Sequence, residues 1–223
     1  EGCTACGACV DPCPAAARRV AGEAWSVEDL LARLLADEPF YRRSGGGVTL
    51  SGGEPTAFPE VAGKLAAELR AREIHVLLET CGHFAWQPFA AHLLPHLSAI
   101  YFDLKIADPD DHRRRCGVDN RRIHDNLKQL ASVEGIELLP RIPLVPSITD
   151  GRDNLVALAD LALEAGLERI ALLPYNPLWV SKRRGLGLDL PYDCADWMSA
   201  EAVRAAEATV AARGIAVVAR GSS

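Results

Sequence analysis

Four cysteines stand close together at the start of the chain, spaced Cys3-x-x-Cys6-x-x-Cys9-x-x-x-Cys13, with a proline after the last. This run is typical of bacterial ferredoxins, whose cysteines bind a [4Fe-4S] cluster. Thiolates suit iron in such a cluster, whereas a structural zinc site usually takes two cysteine pairs separated by a longer loop. We therefore predict that these four cysteines bind a [4Fe-4S] cluster. Because the fourth cysteine of a run binds the other cluster in two-cluster ferredoxins, Cys13 could have that role.

A second candidate site begins at Ser51, where the sequence Ser-Gly-Gly-Glu-Pro follows a predicted strand. Two adjacent glycines let a ligand approach the backbone closely, and exposed backbone groups can then hydrogen-bond an amine. Glu54 adds negative charge beside a cationic ligand. The alternative is a tight turn between a strand and a helix, with no ligand.

Charged and polar side chains also lie at the ends of the next three predicted strands. Asp103 and Lys105 are two positions apart, so they share a face of an extended chain. Arg141 suits a carboxylate because its guanidinium is a fixed fork, and Glu79 and Thr80 offer hard oxygen ligands for a small cation. The alternatives are an internal ion pair between Asp103 and Lys105, and local capping or turn chemistry for the other three.

Regularly spaced elements must position these residues. Apolar runs predict strands at 48–50, 75–78, 99–102, 137–142, 169–173 and 215–218, and apolar periodicity predicts helices at 59–72, 121–133, 154–165 and 200–213. An earlier helix is expected after Ser26 as N-cap, with an apolar stripe of leucines at 30, 31, 34 and 35. This βαβ spacing indicates a parallel sheet. Polar clusters at the strand ends favour a (β/α) barrel, and no Gly-x-Gly-x-x-Gly opens a helix as in dinucleotide folds.

Composition limits the possible functions of the 223 residues. The net charge of −6 argues against a nucleic-acid partner, because neutralising phosphates needs a basic face. No apolar run is long enough to span a bilayer, and no signal peptide is recognisable. Clustered cysteines favour metal binding in a reducing cytoplasm over a disulfide framework. The scattered Cys81, Cys116 and Cys194 are expected to be buried small hydrophobes.

Taken together, these residues resemble the radical S-adenosylmethionine enzymes, in the branch of glycyl-radical enzyme activating proteins that includes pyruvate formate-lyase activating enzyme. The resemblance covers essentially the whole chain, and its specificity comes from the order of the motifs. The matching segments are 48–55, 79–82, 103–105, 117–120, 141–146, 172–175 and 181–188.

The resemblance implies an α/β fold. Residues 23–223 would form a partial (β/α)6 radical S-adenosylmethionine barrel whose first strand is missing. Residues 1–22 would form half of a ferredoxin-like [4Fe-4S] insert that precedes the barrel. It implies reductive cleavage of S-adenosylmethionine to a 5′-deoxyadenosyl radical that installs a glycyl radical on a partner enzyme, with flavodoxin or ferredoxin as electron donor. Glu79, Thr80 and Asp103 would line a monovalent-cation site. The implied S-adenosylmethionine-binding residues are Ser51, Gly52, Gly53, Glu54, Asp103, Leu104, Lys105, Arg141 and Asn176.

The sequence departs from the family's pattern in its cysteines. The motif Cys-x-x-x-Cys-x-x-Cys, which binds the catalytic cluster in the family, is absent: Cys9 and Cys13 have the first gap, but Ala16 stands where the third cysteine would be. We therefore expect that the N-terminus is missing, that no catalytic cluster ligand is present and that the chain is inactive alone. The N-terminal cysteines would then bind an auxiliary cluster. Asn176 also stands where the family commonly has histidine.

Two other functions remain open from the residues. A ferredoxin-type electron-transfer module fused to a non-catalytic barrel would need only the first 22 residues, and it would leave the polar strand ends unexplained. A metal-dependent barrel hydrolase or lyase would need histidine or carboxylate ligands at the strand ends, where only Glu79 and Asp103 qualify.

Overall fold

The structure is a computed structural model that describes residues 6–20, 22–190, 192 and 194–218. Within these residues the strands are β1 (Gly47–Leu50), β2 (His75–Thr80), β3 (Ala99–Asp103), β4 (Glu137–Leu144), β5 (Arg169–Pro174) and β6 (Ala216–Val218). The α-helices are α1 (Val27–Leu35), α2 (Glu38–Ser44), α3 (Pro59–Arg70), α4 (Trp86–His92), α5 (Pro109–Cys116), α6 (Arg121–Ala131), α7 (Arg152–Glu164), α8 (Leu178–Gly185) and α9 (Ala200–Ala211).

The six strands form one parallel sheet in the order β1-β2-β3-β4-β5-β6. Each strand therefore pairs with the next strand along the chain, as in a (β/α) barrel, whereas a doubly wound sheet reverses its order at a switch point. In the described part of the chain β1 and β6 are not paired with each other, so hydrogen bonds do not close the sheet. The predicted parallel α/β fold with barrel order is confirmed.

All six predicted strands are present, and two of them extend two residues further at their carboxyl ends than predicted. β2 continues through Thr80 and β4 through Leu144. Glu79 and Thr80 are thus the last residues of a strand and do not lie in the loop after it. The predicted helix after Ser26 is also confirmed, because the Ser26 hydroxyl accepts a hydrogen bond from Asp29 N at 3.0 Å.

The two faces of the sheet have different surroundings. Because side chains alternate along a strand, Val76, Leu78, Ile100 and Phe102 share one face, and all four are fully buried in the hydrophobic core. Helices on this side contribute further core residues, which include Leu69, Phe89, Leu127 and Leu158. The opposite face has partly buried polar residues at its carboxyl end, so the fold leaves that end available for a site.

Residues 6–20 contain consecutive turns without helix or strand. The turns are closed by hydrogen bonds from Val10 N to Gly7 O, Cys13 N to Val10 O and Ala16 N to Cys13 O, at 2.9, 3.2 and 3.0 Å. Cys3 lies outside the described residues. The division of the chain at residue 22 stays a prediction.

Among the described helices, none has the length and apolar character needed to cross a membrane.

Candidate functional site

A cavity of about 300 Å³ lies at the carboxyl ends of β1 to β4. All but two of the residues predicted to bind S-adenosylmethionine line it, together with three residues from the end of β2. The lining residues are Ser51, Gly52, Gly53, Glu54, Glu79, Thr80, Cys81, Asp103, Lys105 and Arg141. A larger groove of about 720 Å³ between α4 and α6 contains none of these residues.

Leu104 and Asn176 are the two predicted residues that do not line the cavity. Leu104 is 1% exposed and belongs to the hydrophobic core, because alternation turns it away from Asp103. Its backbone N–H donates to Arg141 O at 2.8 Å. Asn176 is exposed after β5, and its side-chain oxygen accepts a hydrogen bond from Leu178 N at the start of α8.

Arg141 connects the carboxylates at the ends of two neighbouring strands. Asp103 and Arg141 are register partners in β3 and β4, and Nη2 of Arg141 lies 2.9 Å from Asp103 Oδ1. Nη1 of Arg141 donates to Glu79 Oε1 at 2.5 Å. The Tyr101 ring lies beneath the guanidinium, 5.1 Å from Cζ, which favours the cation further. The Arg141 side chain is only 12% exposed, so its ion pairs with Asp103 and Glu79 are partly shielded from solvent.

The charged side chains at this site, together with their burial, shift one another's pKa. Burial alone would raise the pKa of Glu79, but hydrogen bonds from Arg141 and Ser51 outweigh it and leave the pKa below its ordinary value. Burial would lower the pKa of Arg141, yet the attraction of Asp103 and the hydrogen bond to Glu79 raise it. Burial raises the pKa of Asp103 despite Arg141 and Lys105 nearby. Glu79 and Arg141 are therefore charged at neutral pH.

Glu54 connects the loop after β1 to the end of β2. Its Oε1 accepts from Thr56 Oγ1 at 2.6 Å and from Thr80 Oγ1 at 2.8 Å, and its Oε2 accepts from Cys81 N at 2.8 Å. Burial would raise the pKa of Glu54, but these hydrogen bonds lower it below 4.5. The carboxylate is ionised and fixed by donors from two loops. The sequence motif predicted Glu54 as a site residue but gave no indication of its hydrogen-bond partner Thr56.

The glycine at position 52 leaves the cavity open on one side. Gly52 has φ +109°, and a Cβ at Gly52 or Gly53 would meet no atom within 4 Å. Backbone groups there are accessible to a ligand. Gly82, just beyond the cavity, differs: it has φ +77°, and a Cβ there would lie 2.1 Å from Cζ of Phe102. The sequence pattern did not predict this close contact, which only the folded chain creates.

Cys81 lines the cavity although it was predicted to be a buried hydrophobe. It is partly exposed, and burial together with a hydrogen bond to Glu54 raises the pKa of its thiol. The prediction of a buried residue is also wrong for Cys116, which is exposed. Cys194 is partly exposed. Cys81 directly follows β2 and Cys116 is the last residue of α5, so solvent reaches both side chains at the ends of these elements. The position of Cys81 within the motif 79–82 is the signal that could have identified it.

The two predicted metal sites stay predictions. Cys6 and Cys9 are exposed, Cys13 is partly exposed, and the described residues contain no group of three His, Cys, Asp or Glu side chains arranged to hold a metal ion. The monovalent-cation site would use Glu79 and Asp103, whose carboxylates both contact Arg141 here. Thr80 directs its hydroxyl to Glu54.

Solved structures share this fold. A domain of pyruvate-formate lyase-activating enzyme from Bacteroides vulgatus has a TM-score of 0.63 and 23% identity, and the alignment covers 78% of this chain and 98% of that one. A radical S-adenosylmethionine methyltransferase from Sphaerobacter thermophilus has a TM-score of 0.61 and 19% identity over 88% of this chain and 57% of that one. The fold is that of radical S-adenosylmethionine enzymes.

Sequence relatives define the family more closely. The isethionate sulfite-lyase activating enzyme of Nitratidesulfovibrio vulgaris is 38% identical over 91% of this chain and 66% of its own. The pyruvate formate-lyase-activating enzyme of Clostridium pasteurianum is 32% identical over 75% of this chain and 70% of its own. The chain belongs to the family of glycyl-radical enzyme activating enzymes. No family model matches the chain.

The chain spans only part of its relatives. It covers 66% of the length of the Nitratidesulfovibrio vulgaris protein, and 61% of the corresponding enzyme of Oleidesulfovibrio alaskensis. Membership of the family implies S-adenosylmethionine and an iron–sulfur cluster as cofactors. The sequence lacks the cysteine triad that would bind a catalytic cluster.

Proposed function

We propose that this chain is the S-adenosylmethionine-binding part of an activating enzyme that forms a 5′-deoxyadenosyl radical and installs a glycyl radical on a partner enzyme. The observation that supports this most directly is the cavity at the ends of β1 to β4. It combines an open backbone turn with fixed charges of both signs. A ligand with an amine and a carboxylate on one carbon needs that combination.

The charges of the cavity suit a cationic ligand. Glu54, Glu79 and Asp103 provide three carboxylates, and Lys105 and Arg141 provide two cations, which leaves net negative charge. S-adenosylmethionine has an ammonium, a sulfonium and a carboxylate, so its net charge is positive. Lys105 would attract the carboxylate, and the carboxylate side chains would attract the two cationic groups.

The residues of this chain would bind and orient the ligand. Backbone groups at Gly52 and Gly53 are accessible to hydrogen-bond the amine, while Glu54 is fixed by its own donors. Arg141 is fixed against Glu79 and Asp103, so these charges need little rearrangement when the ligand enters. Reductive cleavage needs an electron from a catalytic cluster, and we attribute no cleavage step to this chain because it lacks the triad.

Calorimetry with S-adenosylmethionine tests the binding proposal. Lys105→Met keeps most of the side chain's length and removes its charge. We expect it to weaken binding by about tenfold, the usual effect of losing one charge-assisted hydrogen bond. Lys128→Met changes an exposed lysine on α6 and should leave the affinity unchanged. Failure of the unmodified chain to bind, or equal affinities for Lys105→Met and wild type, would contradict the proposal.

The absence of the triad gives a second test. The anaerobically reconstituted and reduced chain should release no 5′-deoxyadenosine from S-adenosylmethionine. Detection of that product above the level without protein would overturn the expectation that the chain is inactive alone. A protein that adds the triad upstream of the same residues should restore the product, since the cavity residues are intact.

We also propose that Cys3, Cys6, Cys9 and Cys13 bind an auxiliary [4Fe-4S] cluster. The tight turns at 7–13 give the short chain path that such a run needs. Anaerobic reconstitution should give about four iron atoms per chain, with the broad visible absorption of the cluster. Cys9→Ser should lower iron content, and Cys116→Ser, an exposed cysteine outside the run, should not. Equal iron content in both variants would argue against this ligand set.

The partner enzyme is proposed only as a class. Relatives are named for isethionate sulfite-lyase, (2S)-3-sulfopropanediol dehydratase and pyruvate formate-lyase, so the family serves several partners. Flavodoxin or ferredoxin is the proposed electron donor. A pure electron-transfer module would not need the charged cavity, so binding of S-adenosylmethionine distinguishes the two functions.

A further inference from the structure

The segment after β3 brings Lys105 into the cavity without regular secondary structure. Residues 104–106 are neither helix nor strand, and α5 begins only at Pro109. Backbone N–H and C=O groups that leave a sheet need other partners when they are shielded from water. The partners of this segment therefore determine where Lys105 lies.

Asn154, near the start of α7, makes three hydrogen bonds to backbone groups, and two of them are to this segment. Its Nδ2 donates to Lys105 O at 3.0 Å and to Thr149 O at 2.8 Å, and its Oδ1 accepts from Ala107 N at 2.8 Å. Both amide hydrogens and the amide oxygen are thus used. Because Thr149 follows β4, this one side chain connects the loop after β3 to the loop after β4.

Asn120, immediately before α6, binds the same segment from another helix. It is 2% exposed, and its Nδ2 donates to Ile106 O and Ala107 O, both at 2.8 Å. At the other end of the segment, Leu104 N donates to Arg141 O at 2.8 Å. In every residue from 104 to 107, a backbone N–H or C=O group is therefore hydrogen-bonded to a residue distant in sequence.

We propose that Asn154 and Asn120 are positioning residues that fix Lys105 relative to Arg141 in the cavity. Neither asparagine lines the cavity, so both act through the backbone at 105–107. The role of Lys105 toward S-adenosylmethionine rests on the proposed function, but its placement does not. An amide is suited to this position because it offers donors without charge, whereas a carboxylate would face carbonyl oxygens.

Two variants test the proposal. Asn154→Asp and Asn120→Asp keep the size of the side chain and replace the donating amide by a carboxylate. Amine acetylation followed by peptide mass spectrometry measures the reactivity of Lys105, with Lys64 and Lys128 in the same sample as references. We expect the relative reactivity of Lys105 to change about three- to tenfold in each variant, because the hydrogen bonds that the amide donates are lost. Binding of S-adenosylmethionine should weaken by a similar factor.

Leu158→Ala is the matched control, because this leucine lies on α7 and is fully buried in the core. It should lower stability without changing the relative reactivity of Lys105. Unchanged reactivity in both asparagine variants, or an equal change in Leu158→Ala, would overturn the proposal. If Asn154→Asp does not fold, Asn120→Asp gives the same comparison. If reactivity changes but wild type binds no S-adenosylmethionine, the positioning role stands and the proposed function fails.

Discussion

Arg141 and Asp103 lie opposite each other in neighbouring parallel strands, and the Arg141 nitrogens Nε and Nη2 lie 3.0 and 2.9 Å from the same carboxylate oxygen, Oδ1. The remaining terminal nitrogen, Nη1, contacts Glu79. One side chain thus connects the ends of β2, β3 and β4. This geometry depends on the planar fork of the guanidinium, which an ammonium group cannot reproduce.

Arg141→Lys should therefore destabilise the protein. We expect the free energy of unfolding to fall by about 1–3 kcal/mol, between the values for exposed and buried ion pairs, since lysine cannot contact both carboxylates in this geometry. Urea unfolding followed by circular dichroism measures the loss. Arg169→Lys makes the same substitution in the exposed pair with Glu137, where we expect at most about 0.5 kcal/mol. Equal losses of unfolding free energy in the two variants would contradict the expectation that the planar guanidinium of Arg141 stabilises the protein.

Glu54 should make stability depend on acid pH. Its pKa in the folded protein lies below the ordinary value of 4.5, because hydrogen bonds to the ionised carboxylate outweigh burial. The stability that it contributes is present above that ordinary value and is lost as the pH falls through the folded-state pKa. The stability difference between wild type and Glu54→Gln should therefore shrink as the pH falls below 4.5.

Urea unfolding between pH 7 and pH 3 measures this difference. Glu60→Gln, an exposed position on α3, is the control and should follow the wild-type profile throughout. A constant gap between wild type and Glu54→Gln at every pH would show that the ionised carboxylate is not the stabilising species.

Thr80→Val should cost about 1–3 kcal/mol of unfolding free energy, although it preserves side-chain shape. The Thr80 hydroxyl is buried, donates to Glu54 at 2.8 Å and accepts from Gly82 N at 3.0 Å. Valine would leave that N–H without its partner. Thr49→Val, on the exposed side of β1, should be close to neutral in the same thermal or urea unfolding experiment. A neutral Thr80→Val would mean that water replaces the hydroxyl.

Gly82→Ala should be more damaging than Gly117→Ala. Both glycines have φ near +80°, but only at Gly82 would a Cβ contact the Phe102 ring; at Gly117 it would meet nothing within 4 Å. The backbone strain is similar in the two variants, so their difference isolates the steric contact. We expect Gly82→Ala to lose about 1–3 kcal/mol more unfolding free energy than Gly117→Ala. Similar melting temperatures for the two variants would contradict this contact.

Local patterns were enough to predict much of the fold. Apolar runs identified all six strands, and Ser26 marked the start of α1, because pleating and capping depend on residues close together in sequence. The polar residues at strand ends were also recognisable, since parallel strands bring those ends to one edge. Their order along the chain was the basis of the resemblance to the family, which the relatives confirm.

Long-range contacts were not predictable in the same way. The position of Leu104 in the core could have been read from its alternation with Asp103, but the exposure of Cys116 could not. The hydrogen bonds of Asn120 and Asn154 to residues 105–107 join segments 13 to 49 residues apart, so no local pattern indicates them.

The sequence by itself determined that this chain has cysteines spaced for a cluster and polar residues at the ends of parallel strands. Only the tertiary structure decided that Arg141 contacts Glu79 and Asp103 together, and that two asparagines fix the backbone beside Lys105. The physical reason is that residue type and spacing determine local geometry. Strand register and helix packing, in contrast, determine which distant groups come within hydrogen-bond distance.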